Sequence, residues 1–410
     1  MDATLHQVGA KHLLWAMAGE SIGDFGESNA EPMTKEERLY SGFPQPYPPS
    51  SGSRHAIAAL AELRTNHSYL QLMISNPGTS LPVMYSTPRA EAVARYVAAR
   101  YAMAGPLECS LLHRGFNDSF EVRSDGGQHA VLRLSNKRAR GDADVASETA
   151  FVAYLDGAGI PVAAPVPARD GTLFGLAQLP EGPRPAVLFR HAEGRAPQWE
   201  STADARANGV TLARIHRAAS SYADVNEGRY RLDLDHLLRR PLSALLGLKS
   251  LDASTKEAFK ELASRLSSAV AARGNLTWTR CHGDCHGFNA RIIENGPNAG
   301  QAMFFDFDDG GPGYVAYDLA VFLWARVSFQ RRGHAMWHEF IDAYRSIHPI
   351  APADFEATHL FVPIRHIWLL GEYASRIEAW GSQNVPATFL IKELDFLLSW
   401  EREKLSPGLF

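Results

Sequence analysis

Cysteine is scarce in this 410-residue chain, with only Cys109, Cys281 and Cys285 present. An odd, sparse set excludes a disulfide framework and points to reduced thiols in the cytoplasm. Long apolar runs are missing too. The stretch LLWAMA at 13–18 is too short to span a bilayer. With Asp2 ahead of it and no clear cleavage site behind, it does not read as a signal peptide. A strong charge of one sign is also absent. The net charge of −4 gives no basic field for nucleic acid. Internal repeats and long low-complexity segments are lacking. What remains is ordinary globular composition, 45% apolar and 21% charged. The length suggests two or three domain-sized units.

Residues 1–86 stand apart. Helical patches are expected at 4–18 and 54–73, around a Pro/Gly/Ser-rich linker at 41–53. This part reads as an N-terminal extension without a chemical motif. From 87 to 190 the pattern is β-rich. A helix is expected at 91–102, followed by strand-like ends of LLHRGFNDSFEV (111–122). A turn at 124–127 and a return strand at 129–134 follow. Segment 142–159 reads as a helix with Val145, Val152 and Leu155 close to one face, and Glu148 lies on that face. Extended chain at 160–171 and a strand at 186–190 close the unit. From 191 to 410 helices dominate, at about 201–219, 235–247, 254–272, 315–330, 334–346, 357–380 and 386–403. A small β-rich lobe followed by a large helical lobe is an α+β layout.

The chemistry concentrates in CHGDCHGFN (281–289). Cys281, His282, Cys285 and His286 could bind zinc, but no second cysteine pair completes a tetrahedron. A Cys–His nucleophile rests on equally little, so both thiols read as buried packing. The other letters say more. Asp284 is followed five residues later by Asn289. The strand-like NARII, the turn residues NGPNAG and the apolar AMFFDFDD come next. A hairpin folded at 295–300 returns Asp306 beside Asn289. Asp284, Asn289 and Asp306 then converge as oxygen-bearing groups, which suit magnesium held together with substrate phosphates. Phosphoryl transfer needs that set: a carboxylate for the attacking hydroxyl, and an amide oxygen and second carboxylate for the metal.

HGDCHGFN and FFDFDDGGPGYVAYDLAVFLW resemble the catalytic loop and metal-binding segment of the aminoglycoside phosphotransferase/choline kinase family, over about 88–400. HGDCH and FDFDD are most similar to its branch of stress-response kinase A and homoserine-kinase-like proteins. The resemblance implies a protein-kinase-like two-lobe fold and the use of ATP and Mg2+. It implies that Asp284 is the catalytic base and that Asn289 and Asp306 are metal ligands, with Asp308 as an extra candidate. Asp318 then braces the catalytic loop and His282 shapes it. GFNDSF (115–120) takes the place of the phosphate-covering loop, so Gly115, Asn117 and Ser119 are candidate phosphate contacts. Leu188, Phe189 and Arg190 take the place of the inter-lobe hinge and face adenine. One departure stands out. Where the family commonly has Lys on the third strand, VLRL places Arg133, with Lys137 as the alternative. Glu148 is the natural partner of Arg133, because a carboxylate on an apolar face needs one. This exchange leaves the choice between ATP and GTP open.

Between Arg280 and Asp318 six carboxylates face Arg280 and Arg291, an acidic mouth that favours a cationic acceptor. Residues 359–380, with Arg365, His366, Trp368, Glu372, Tyr373, Arg376 and Trp380, either read that acceptor or form core. The expected acceptor is a hydroxyl on a small molecule, an amino alcohol or an aminoglycoside-like antibiotic. A Ser/Thr kinase for a protein or peptide is the alternative, and a nucleotide-binding pseudokinase a third. Neither nucleic acid nor membrane is an expected partner.

Overall fold

Strand alternation sets the architecture of the first lobe. Five strands, β1 (Leu107–Arg114), β2 (Asn117–Ser124), β3 (His129–Ser135), β4 (Gly175–Leu179) and β5 (Gly182–Arg190), form an antiparallel sheet in the order β1-β2-β3-β5-β4. Phe120, Val122, Ala130, Leu132, Leu134, Ala186 and Leu188 point to one face. There they pack on Val93, Val97 and Tyr101 from helix α1 (Ala90–Arg100) and its end. The alternate residues Ser119, Val131, Arg133 and Phe189 face a cleft, as the period of two requires. The computed structural model describes residues 81–136, 141–223, 231–328 and 334–405. The expectations for 4–18, 41–53 and 54–73, and the alternative Lys137, lie outside the described residues.

Helix α2 (Asp142–Gly157) buries Phe151, Val152 and Leu155 in the core of the second lobe, so it joins the two. That lobe contains α3 (Thr202–Ala219), α4 (Arg240–Leu246) after a π-helical turn, and α5 (Ala253–Ala272). Two short antiparallel pairs follow. Strand β6 (Trp278–Cys281) pairs with β9 (Gly311–Tyr314), and β7 (Ala290–Ile292) with β8 (Ala302–Phe304). Then come α6 (Val315–Ser328), α7 (His334–Arg345), α8 (Pro352–Ala374), the single turn α9 (Ile377–Trp380) and α10 (Ala387–Lys404). α6 and α8 are apolar on nearly every side and lie at the centre of the core, where such helices belong.

The α+β layout holds, and the helices stand close to their expected limits. Three stretches depart from expectation. β4 pairs with a β5 that begins at Gly182, earlier than the expected 186. β9, built from GPGY, pairs with β6 although its composition reads as loop. Helix α8 starts at Pro352, ahead of the expected 357, because proline at the first helical position costs no hydrogen bond. Among the described residues no helix is long and apolar enough to cross a membrane.

Candidate active site

The loop between β6 and β7 carries the chemical residues, and Asp318 fixes its shape. From the first turn of α6, Asp318 accepts the backbone N–H of His282 at 2.6 Å and of Gly283 at 2.8 Å. His216 Nε2 lies 2.9 Å from the same carboxylate. Burial pushes the Asp318 carboxyl up, but the His216 hydrogen bond, the nearby histidines and the Gly283 N–H outweigh it and hold it below its ordinary value. Gly283 permits the turn. It has a φ of +84°, and a Cβ there would sit 2.0 Å from the Asp309 carbonyl oxygen. His282 Nε2 reaches the Phe305 carbonyl at 3.0 Å, while its Nδ1 accepts the Asp284 N–H at 3.2 Å. Burial pushes the His282 ring below its ordinary value, so it serves as a neutral brace.

The β7–β8 hairpin performs the expected return. Ala290 pairs with Phe304, and the Phe305 N–H donates to the Asn289 carbonyl at 3.1 Å, so Asp306 follows directly beside Asn289. Asp306 has φ 63° and ψ 58°, the one non-glycine residue at positive φ among the described residues. Such backbone outliers cluster at functional sites. Asn289 Nδ2 donates to the Asp284 main-chain oxygen and to Asp284 Oδ2, each at 3.0 Å. That arrangement leaves the amide oxygen of Asn289 as its cation-facing atom. Together with the carboxylate of Asp306, it is a hard oxygen donor set of the kind Mg2+ takes.

Above this floor, Arg133 forms a fork with Glu148 through two hydrogen bonds of 2.8 and 2.7 Å. Both side chains are buried, and Arg133 Nη1 is also 3.8 Å from Asp306 Oδ1. The expected pair therefore exists, and it adjoins the converging carboxylates. Burial alone would lower the Arg133 pKa, but Glu148, Asp308 and Asp306 raise it, so the guanidinium stays charged.

Floor and roof enclose a cleft of about 580 Å³. Asp284, Asn289, Asp306, Arg133, Gly115, Asn117, Ser119, Phe189 and Arg190 all line it. Leu188 does not. Its side chain is buried in the core under α1, and the Val166 N–H takes its carbonyl at 2.7 Å. Of the three residues set against adenine, Phe189 and Arg190 thus line the cleft, while the Leu188 side chain lies in the core. Asn117 is engaged with protein groups: its Nδ2 donates to Asp308 Oδ2 at 2.7 Å, and its Oδ1 accepts the Asn136 N–H at 3.3 Å. Asp308 thus meets the roof loop and does not line the cleft beside Asp284.

The thiols are packing. Cys281 and Cys285 are buried, and burial raises both well above their ordinary values. The acidic mouth is weaker than the count of carboxylates implies. Asp309 and Asp318 are buried. The cleft lining holds Asp284 and Asp306 against Arg114, Arg133 and Arg190. Most of 359–380 is core, with Tyr373 and Trp380 reaching the cleft. Phe116, at the tip of the β1–β2 turn, meets both rings edge-on, at 5.8 and 4.9 Å.

Arg365, expected either to read the acceptor or to form core, is buried and holds Asp284 instead. It is buried between the rings of Trp324 and Trp368, at 5.1 and 4.4 Å. Its Nη2 donates to Asp284 Oδ1, and its Nη1 to the Tyr317 hydroxyl at 3.2 Å. The signal was an arginine inside the apolar run VPIRHIWLL, since a buried charge requires a partner.

Residues 108–357 match the phosphotransferase enzyme family model, APH. An uncharacterized protein of Deinococcus radiodurans is 35% identical over 80% of this chain and 94% of its own length. A homoserine kinase of Rhodospirillum rubrum is 26% identical over 60% of this chain and 72% of its own, in keeping with the branch that HGDCH and FDFDD resemble. Among solved structures, amicoumacin kinase in complex with AMP-PNP, Ca2+ and Ami shares the fold. It has a TM-score of 0.63 at 16% identity and covers 83% of this chain and 98% of that one. Family match, relatives and a kinase-like two-lobe fold agree with the loop and hairpin described above: the chain belongs to the phosphotransferase enzyme family.

Proposed function

We propose that the protein transfers the γ-phosphate of Mg·ATP to a hydroxyl group of a small molecule, an amino alcohol or an aminoglycoside-like compound. The observation that carries this reading is the meeting of Asp284, Asn289 and Asp306 on the floor of one cleft, beneath the Arg133–Glu148 fork. Asn289 and Asp306 would hold the magnesium ion. When bound, the ion supplies charge neutralisation on the phosphate oxygens. Arg133 remains cationic and keeps a fixed plane through Glu148, so it can steer phosphate oxygens. Phe189 and Val131 offer apolar surface to a base.

Asp284 is positioned for the acceptor. Arg365 holds one carboxylate oxygen and Asn289 the other, so its direction is fixed before a substrate arrives. The acceptor hydroxyl hydrogen-bonds to this carboxylate. Its oxygen forms the new bond to γ-phosphorus, the bond from γ-phosphorus to the bridging oxygen breaks, and ADP departs. The hydroxyl proton passes to Asp284 and from there to solvent. Support for a small acceptor comes from the homoserine kinase relative, whose named substrate is an amino acid with a primary hydroxyl. The test is ADP release with Mg·ATP against a panel of amino alcohols and aminoglycosides, with a protein substrate as control. Saturable turnover with one of the small molecules supports the proposal. Phosphate on protein Ser/Thr alone refutes the choice of acceptor.

A further inference from the structure

At the outer end of the sheet, on the face that turns to the cleft, two histidines and two glutamates gather. Glu121 lies on β2 and His129 opens β3. His191 follows β5 directly, and Glu193 comes two residues later. The His129 and His191 rings stack with centroids 3.6 Å apart and planes inclined by 14°. Glu121 Oε1 is 2.8 Å from His129 Nε2. Glu193 Oε1 is 3.0 Å from His191 Nδ1 and 3.5 Å from His129 Nδ1. One ligand atom each from Glu121, His129 and His191 lies within 4.8 Å of the other two. Arg123 also donates to Glu121 Oε1, at 2.7 Å. The His191 N–H donates to the His129 carbonyl at 3.2 Å, so backbone pairing brings the two rings together without help from an ion.

We propose that Glu121, His129 and His191 bind a divalent transition-metal ion, with Glu193 orienting the His191 ring. Two imidazoles and a carboxylate form the donor set that Zn2+ and Co2+ accept, and one that Mg2+ does not favour. Glu193, accepting the His191 Nδ1–H, fixes that ring's tautomer and leaves its Nε2 lone pair for the metal, while His129 exchanges its Nε2 hydrogen bond to Glu121 for the ion. Zinc bonds of about 2.0–2.2 Å place neighbouring ligand atoms roughly 3.3 Å apart, within the spread found here. Ring nitrogen lone pairs lie in the ring planes, so at least one ring must rotate out of the stack for both nitrogens to meet one ion. Arg123 is the competing cation that the ion displaces. His191 sits between Arg190 and Ala192, both of which line the nucleotide cleft. A bound ion would therefore tie the joint between the lobes to strands β2 and β3. This proposal stands apart from the assignment of phosphoryl transfer.

The test is calorimetric titration of the full, EDTA-dialysed chain with Zn2+, with Co2+ absorption as a second readout. One site is expected, with visible Co2+ bands of low coordination number. His129→Ala, His191→Ala and Glu121→Gln should each weaken the site at least tenfold, and Glu193→Gln should do so to a smaller degree. Arg123→Gln should leave it intact or tighten it. Circular dichroism checks that the variants fold. If a variant fails to fold, the Co2+ spectrum of the wild-type chain decides. Zinc affinity unchanged in folded His129→Ala and His191→Ala, or no Co2+ spectrum in the wild-type chain, would overturn the proposal.

Discussion

At the scale of single residues, two buried arginines organise the cleft. Arg365 holds Asp284 from below, and Arg133 meets Glu148 and Asp306 from above. Removing one partner of a buried pair leaves the other charge without compensation, at a cost of about 3–5 kcal/mol. Arg365→Met should accordingly lower both the thermal midpoint and kcat, since Asp284 then loses its anchor. Arg133→Lys keeps the charge and loses the fork. One lost charged hydrogen bond is worth about 1.5–3 kcal/mol. The expected result is a rise in KM for ATP of about tenfold or more, with kcat changed less, read by steady-state kinetics. A rise in kcat with unchanged KM would argue against a phosphate role for Arg133.

At the scale of elements, the N-terminal turn of α6 and the β6–β7 loop act as one unit through Asp318. Its carboxyl is held low in the folded chain, against about 3.9 when unfolded. A depressed carboxylate stabilises above the unfolded value, and this contribution is lost as pH falls through the lower folded value. His282 is also depressed, against about 6.5 when unfolded. The unfolded chain therefore takes up that proton first, and stability declines as pH drops below about 6.5. Urea midpoints measured across pH should show both slopes. His282→Asn should flatten the slope near pH 6, and Asp318→Asn the one below about pH 4; unchanged slopes would contradict the account. The loop and hairpin were legible because they are local. Asp284, Asn289 and Asp306 lie within 23 positions, and a turn rich in Gly and Asn fixes their meeting. The Arg133–Glu148 pair was legible from a carboxylate on an apolar helix face. Arg365 was not, since 81 positions and a helix packing angle separate it from Asp284. Strand β9 was hidden because GPGY has turn composition and pairs only through tertiary context.

At the scale of the whole molecule, the sheet lobe covers the helical lobe through its β1–β2 tip. Phe116 is buried against Tyr373 and Trp380, under the Arg376 guanidinium 4.6 Å from its ring. Asn117 adds its hydrogen bond to Asp308. The tip therefore closes one side of the cleft, and on the proposed reading it covers the nucleotide's phosphates. Phe116→Ala removes that contact, at about 3–5 kcal/mol for a buried ring. A several-fold rise in KM for the nucleotide is expected, together with a lower thermal midpoint; an unchanged KM would show that the tip is not a cover. The central claim is that one cleft moves phosphate from Mg·ATP to a small hydroxyl compound by way of Asp284. Its most direct test is ADP release with Mg·ATP and the small-molecule panel, wild type beside Asp284→Asn. The account predicts acceptor-dependent turnover that falls about 10²–10⁴-fold in the variant. Equal phosphoryl transfer by a folded Asp284→Asn chain would contradict it.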